Sequence, residues 1–228
     1  MNCVQRPGST HIYAHRGASV THPENTLAAF GEAVRLGVHG IELDVRATRD
    51  GVPVVSHDAG LIRAVGVNRL VTDLTFAELR DVASEVPRLD EVLSLVAGRS
   101  HLDIEIKERG VEEATLVVLR DLPRDRWAIS SFDWGVLGDV RGQDAEAELW
   151  VLCLTASAAA MDAAARLGAT TLAVEQHAVI PELVARVAST GRRVMAWTVN
   201  DNLRVAELGA WGVSAVCTDV PAEILAAV

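Results

Sequence analysis

The strongest constraint on this chain is the run Ile41-Glu42-Leu43-Asp44-Val45, then an Asp50-Gly51 pair, then Val52-Pro53-Val54-Val55-Ser56-His57-Asp58. Successive side chains on a strand point to opposite faces, so Glu42 and Asp44 share a side. Asp-Gly between two β-branched runs predicts a hairpin. A turn at 50–51 sets Arg49 opposite Val52 and, counting back, Asp44 opposite His57, with Ser56 on the other face. Two carboxylates and an imidazole then meet on one patch. Unpaired acids on a core strand are costly to bury, and a cation removes that cost. Metal-assisted chemistry is one reading of this pattern. An amphipathic hairpin with a solvated acidic face is the other.

Two further stretches bear on that choice. His11-Ile12-Tyr13-Ala14-His15-Arg16-Gly17 is a short strand ending in His-Arg-Gly, and Leu102-Asp103-Ile104-Glu105-Ile106-Lys107 is a strand whose charges share one face. Phosphate chemistry uses all three kinds of group. Carboxylates hold a divalent metal, Arg and Lys offset phosphate charge, and histidines move protons. His11, His22, His39 and His101 read instead as surface or satisfied core residues.

Apolar, β-branched runs alternate with helical patterns, as a parallel α/β fold requires. Strands are expected near 12–15, 40–46, 102–106, 127–130, 148–153, 171–174, 193–198 and 215–218, with 52–57 as the returning arm of the hairpin. A helix is expected over 27–36, capped by Asn25 rather than held to a site by it, or else capped by Thr26, and stopped by Gly37. Pro181 opens a helix ending near 190–191, and Asn202 caps one running to 208–209. Another starts near Asp90.

The chain of 228 residues is half hydrophobic and carries a formal charge of -10. That charge argues against nucleic acid or an anionic membrane surface as a partner. A small anionic substrate still binds where the site is locally positive. The stretch from Met1 to Thr10 is polar, without the apolar centre of a signal peptide, and no apolar run approaches membrane-span length. The widely spaced Cys3, Cys153 and Cys217 form no disulfide or metal pattern, so reduced thiols and a cytoplasmic location are expected, with Cys3 exposed.

In order along the chain, the sequence resembles the glycerophosphodiester phosphodiesterases. The matches are His15-Arg16-Gly17, Pro23-Glu24-Asn25-Thr26, Glu42-Leu43-Asp44-Val45, His57-Asp58, Thr72-Asp73-Leu74-Thr75, Glu78-Leu79, Pro87-Arg88-Leu89-Asp90-Glu91-Val92-Leu93 and Glu105-Ile106-Lys107. Ser131-Phe132, Trp197-Thr198-Val199-Asn200 and Thr218-Asp219-Val220-Pro221 follow. The resemblance implies a (β/α)8 TIM barrel over 1–228, with a small insertion at 59–88 over the barrel mouth, short in this chain. It implies hydrolysis of a small-molecule glycerophosphodiester to sn-glycerol 3-phosphate and an alcohol.

By the same resemblance, Glu42, Asp44 and Glu105 match the metal ligands. Their oxygens suit Mg²⁺ or Ca²⁺, or Mn²⁺, rather than Zn²⁺. His15 and His57 match the acid and base of a route through a cyclic phosphate. Arg16 and Lys107 are expected on the phosphate, and Trp197 as an apolar wall. Glu175 follows a strand at the end where a barrel site is lined, and is expected near substrate. Competing expectations are a lysophospholipase D-like or sphingomyelinase D-like phosphodiesterase, and a barrel that binds a phosphoester without cleaving it.

Overall fold

The protein is described by a computed structural model that covers residues 10–227. Cys3 and the stretch before Thr10 lie outside the described residues. The chain alternates strand and helix. In order come β1 (His11–His15), α1 (Leu27–Leu36), β2 (Gly40–Ala47), β3 (Pro53–Val55), α2 (Ile62–Val65), α3 (Phe76–Val82), α4 (Leu89–Val96) and β4 (His101–Ile106). Then follow α5 (Glu112–Leu119), β5 (Trp127–Ser131), α6 (Trp134–Gln143), β6 (Leu149–Cys153) and α7 (Ala158–Leu167). Last come β7 (Thr171–Glu175), α8 (Pro181–Ala188), β8 (Arg193–Trp197), α9 (Asn202–Ala210), β9 (Ala215–Thr218) and α10 (Pro221–Ala227).

All the strands except β3 pair in parallel, each with its neighbour in the sequence, and β1 pairs with both β2 and β9. That closes the sheet into the expected (β/α)8 barrel, while β3 lies antiparallel on β2 outside the ring. Closure removes the exposed sheet edges. Each strand buries two faces. Outward side chains such as Ile41, Leu43, Ile104, Ile129 and Leu172 pack under the helices. The inner face is filled by Tyr13, Ala128, Trp150, Leu152, Ala173, Met195, Ala215 and Cys217. Gly40 makes room for that filling: a Cβ there would sit 2.1 Å from a Tyr13 ring carbon.

Local signals account for most helix ends. Thr26 is the cap of α1, its hydroxyl accepting from the Ala29 N–H at 3.2 Å, and Gly37 ends the helix at φ 76°. Asn25 is therefore not the cap; its side chain goes to the site described below. Pro181 opens α8 as expected. Asp201 rather than Asn202 caps α9, accepting from the Arg204 N–H at 2.8 Å.

The hairpin register differs from expectation by one residue. Val45 pairs with Val55 and Arg46 with Val54, so the Asp44 carbonyl faces Ser56, whose N–H it accepts at 2.9 Å. The cause is a longer loop. Gly51 lies at φ 78°, its N–H bonds the Thr48 carbonyl at 2.9 Å, and Arg49, Asp50 and Gly51 all sit in the turn. That is the three-residue loop with a left-handed last residue, in place of a two-residue turn at Asp50-Gly51. β3 thus ends at Val55, and His57 comes from the bend beyond it.

Residues 59–88 hold α2, α3 and a short 3-10 turn at Val71–Asp73, packed around Leu61, Val71, Leu74, Leu79, Ala83 and Val86. Thr75 and Glu78 form a capping box at α3. Arg49, in the hairpin loop, bonds the Asp73 carbonyl at 2.6 Å and Glu78 at 2.8 Å, tying this segment to β2.

Candidate active site

The acids meet because of strand register. His15 pairs with Glu42, and Asp44 pairs with Glu105, at the C-terminal ends of β1, β2 and β4. Barrel active sites lie at that end. Glu42, Asp44 and Glu105 are all buried, and one carboxylate oxygen from each lies within 4.8 Å of the other two. Asp44 is the innermost. Its Oδ2 accepts from Asn25 Nδ2 at 2.8 Å and lies 3.2 Å from Arg16 Nε. Its Oδ1 makes no hydrogen bond, with Lys107 Nζ 3.4 Å away. Lys107 Nζ also donates to Glu105 Oε1 at 2.6 Å. Lys107 is thus bound to the acid cluster, whereas Arg46 goes elsewhere, to Glu108 at 2.7 Å and to the His57 carbonyl.

Burial and crowding split the three acids. Burial, then Asp44 and Glu105, push Glu42 well above the usual carboxylate range. Burial and Asp44 also raise Glu105, against the pull of Lys107. Burial works against ionised Asp44 as well, but Lys107 and Arg16 together hold it below its usual value. Deeper in the barrel, Asp103 is pushed up to about 7, chiefly by burial. Three close acids with an orphaned oxygen fit a hard divalent cation, which would favour the ionised form of all three.

Both histidines are held the same way. His15 Nδ1 lies 2.6 Å from Asp219 Oδ1, and His57 Nδ1 lies 2.7 Å from Asp58 Oδ1. With Nδ1 bonded to a carboxylate, each ring leaves Nε2 for chemistry. His15 Nε2 is 3.9 Å from Glu42 Oε2. Burial lowers the His57 pKa against the pull of Asp58 and favours its neutral ring. Asp219 is anchored by Asn200 Nδ2 at 2.7 Å. Asp58 is anchored by Arg63, whose hydrogen bond is the main reason its pKa falls to about 2.

The turn after β1 is unusual in its backbone. Arg16 and Asn25 both lie at φ 57°, the left-handed region, and the Asn25 N–H bonds the Arg16 carbonyl at 3.0 Å. Such conformations cost of order 1–3 kcal/mol each and cluster at functional sites. Here the two strained residues both direct side chains onto Asp44. Gly17 is required at its place: at φ 85°, a Cβ would lie 2.7 Å from the Ala29 backbone.

A cavity of ≈ 220 Å³ joins these groups. His15, Arg16, Glu42, His57, Glu105 and Lys107 line it on one side, and Phe132, Leu152, Met195 and Trp197 on the other. Phe132 and Trp197 meet edge to face, 5.4 Å between ring centres. Among the residues expected at the site, two do not line this cavity: the fully buried Asp44, and Glu175. Glu175 pairs with Trp197 in the strand register, but its carboxylate accepts from His177 Nδ1 at 2.7 Å and from the His177 N–H at 2.9 Å.

Sequence reasoning missed the roles of Asp219, Glu24 and Arg63, and read Asn25 as a cap. Asp219 and Glu24 fall inside the motifs Thr218-Asp219-Val220-Pro221 and Pro23-Glu24-Asn25-Thr26, which is the signal the sequence offers. Arg63 carried none.

Fold and site together define a (β/α)8 barrel with three buried acids, two histidines and two cationic side chains gathered at one mouth. The family profile described as "Glycerophosphoryl diester phosphodiesterase family" matches residues 15–223, and the chain belongs to that family. It is 32% identical to a glycerophosphodiester phosphodiesterase of Caldanaerobacter subterraneus subsp. tengcongensis, over 95% of this chain and 96% of that one. A phosphodiesterase of Oleispira antarctica, solved in complex with the product sn-glycerol-3-phosphate, superposes with a TM-score of 0.89 at 29% identity, covering 95% of this chain and 96% of that one. The glycerophosphodiester phosphodiesterase of Thermotoga maritima superposes with a TM-score of 0.84 at 27% identity, covering 96% and 98%. Among the described residues, no helix is long and apolar enough to cross a membrane.

Proposed function

We propose that this enzyme hydrolyses glycerophosphodiesters to sn-glycerol 3-phosphate and an alcohol, with His15 and His57 as acid and base. The observation that carries this reading is the symmetry of the two histidines. Each has Nδ1 on an aspartate, and both rings line one cavity with Glu42 and Glu105, the two acids that cluster with buried Asp44.

Glu42, Asp44 and Glu105 would hold one divalent cation, Mg²⁺ or Ca²⁺, with Mn²⁺ also suited to the oxygen set. Once bound, the cation offsets charge on the phosphate. Arg16 and Lys107 orient the phosphoryl oxygens. Trp197 and Phe132 shelter the glycerol or the departing group from water, and Glu175 stands at the rim beside them. The 59–88 segment covers the mouth on the His57 side.

One histidine takes the proton from the glycerol hydroxyl next to the phosphate. That oxygen attacks phosphorus, and the bond to the alcohol breaks as the other histidine protonates the leaving oxygen. A cyclic phosphate results. The second half runs in reverse sense: the histidine that gave its proton takes one from water, the water oxygen attacks phosphorus, and the bond to the glycerol oxygen that had attacked breaks as the other histidine returns its proton there.

The substrate is a small diester, and neither nucleic acid nor a membrane surface is a partner. The buried free thiols of Cys153 and Cys217 fit a reducing, cytoplasmic setting. The test is a release assay over a panel of glycerophosphodiesters, with and without EDTA, coupled to detection of glycerol 3-phosphate. Lysophosphatidylcholine and sphingomyelin belong in the panel. Release from these alone would replace the proposed substrate class, and binding without release would make the barrel a phosphoester-binding protein.

A further inference from the structure

A chain of ion pairs leads from the inserted segment into the cavity. Arg63, on α2, donates from Nε to Asp58 Oδ2 at 2.5 Å and from a terminal nitrogen to Glu24 Oε1 at 2.7 Å. Each acid has a second partner at the site. Asp58 holds His57 through its other oxygen, and Glu24 Oε1 also accepts from Arg16 at 3.0 Å. His57 and Arg16 line the cavity; Arg63 does not. It borders a neighbouring cavity of ≈ 230 Å³, between the start of α1 and the insertion, whose wall is shared through His57.

We propose that Arg63 is a positioning residue of the active site, one guanidinium that fixes Asp58 and Glu24 and, through them, the ring of His57 and the fork of Arg16. The proposal rests on the roles given above to His57 and Arg16. A planar guanidinium suits the task, because its separate N–H groups reach two carboxylates in fixed directions. Without it, two acids face each other across the gap, each left with a single cationic or imidazole partner.

The Arg63 side chain is 52% exposed. Ion pairs at such positions add little to stability. What Arg63 supplies is therefore alignment. Misplacing a reacting group by about 1 Å costs up to roughly 100-fold in rate.

The test compares Arg63→Ala, Arg63→Lys and Ile62→Ala on glycerophosphocholine, with kcat, KM and melting temperature measured for each. Ile62 is exposed on the same helix and controls for damage to it. For Arg63→Ala, kcat should fall about 10- to 100-fold, KM should rise through Arg16, and the melting temperature should barely move. Added guanidinium ion should restore part of kcat. Arg63→Lys, with charge but no fork, should fall between, and Ile62→Ala should match wild type. In an Asp58→Asn background, Arg63→Ala should cost less than it does alone. Wild-type kcat and KM in Arg63→Ala would overturn the proposal. So would a loss that tracks the melting temperature and ignores guanidinium. Parallel His57→Ala and Arg16→Ala variants separate the two readings: if these keep full turnover, the proposed roles of His57 and Arg16 fail first.

Discussion

Nδ1 of His15 sits 2.6 Å from Oδ1 of Asp219, which lies 204 positions further along the chain. The contact depends on barrel closure, because β1 and β9 become neighbours only when the sheet meets itself. Burial acts against ionised Asp219, but its bonds to His15 and Asn200 hold its pKa below the usual value. A carboxylate on Nδ1 fixes the ring's tautomer and points Nε2 into the cavity. Asp219→Ala should lower kcat by about 10² and leave KM nearly unchanged, the lower part of the range for lost acid–base catalysis. His15→Ala and His57→Ala should each cost about 10² to 10⁴ in kcat. Steady-state kinetics on glycerophosphocholine decide this. Full turnover in any one of the three variants removes that residue from the mechanism.

The metal site makes a thermodynamic prediction. Protein stripped of metal and then given Mg²⁺ or Ca²⁺ at about 100 times its Kd should gain roughly 2.7 kcal/mol of stability. Glu42→Gln should shrink the thermal shift. Glu42 and Glu105 have raised pKa values through burial and crowding, so cation binding should also release protons. Calorimetry in buffers of different ionisation enthalpy measures that release, and it should grow as pH falls. A melting temperature unchanged across the metal titration would count against the triad as the site.

The barrel floor should make stability depend on pH. His101 stacks on Trp150 with ring centres 5.5 Å apart and shares a hydrogen bond with the Tyr13 hydroxyl at 3.0 Å. Burial is the main reason its pKa falls from 6.5 to about 4. Below 6.5 the unfolded chain takes up a proton that the folded one refuses. The stability is therefore full above 6.5, is lost as pH falls towards about 4, and is flat below that for this group. The full loss is on the order of 3 kcal/mol. Burial also lowers His11 and His39, which stack 4.6 Å apart at the same end, so they slope the same way. His101→Phe keeps an aromatic ring over Trp150 and should flatten part of the curve in denaturant titrations between pH 6.5 and 4. Identical curves for variant and wild type would refute the assignment to His101.

Much of this was legible in the chain. The strands were, because alternation and β-branched runs are local signals: the acids of β2 and β4 share a face by the geometry of a strand alone. The hairpin register was not, because Asp50-Gly51 is compatible with both two- and three-residue loops, and only Gly51 takes a positive φ. Asn25 had two local uses, cap or site, and the left-handed backbone that sends it to Asp44 leaves no mark in the sequence. Arg63 meets Glu24 across 39 positions and His15 meets Asp219 across 204, so neither pair shows in any local window. Glu175 shows what a strand position leaves open. Its strand position is right for the mouth, but His177, two residues on, occupies its carboxylate.

The last prediction concerns what the substrate must contain. The hydroxyls and thiol nearest the reacting centre are poor nucleophiles. Ser56 donates to the Asp58 carbonyl at 3.0 Å and does not line the cavity. Ser130 lines it, but it is fully buried and has the Asp103 carboxyl beside it rather than a histidine. Cys217 lines it too, but burial, then Glu42 and Asp103, push its thiol well above the usual range. The glycerol hydroxyl beside the phosphate has what these lack: it is tethered to the phosphorus it attacks, with two histidines at hand. Tethering with good alignment lowers a barrier by roughly 7–11 kcal/mol. A 2-deoxy analogue of glycerophosphocholine, or bis(p-nitrophenyl) phosphate, should therefore bind and be cleaved very slowly. Competition experiments give the binding, and product release gives kcat. Comparable kcat values for glycerophosphocholine and its 2-deoxy analogue would rule out the cyclic phosphate and leave direct attack by water, with His15 or His57 as its base.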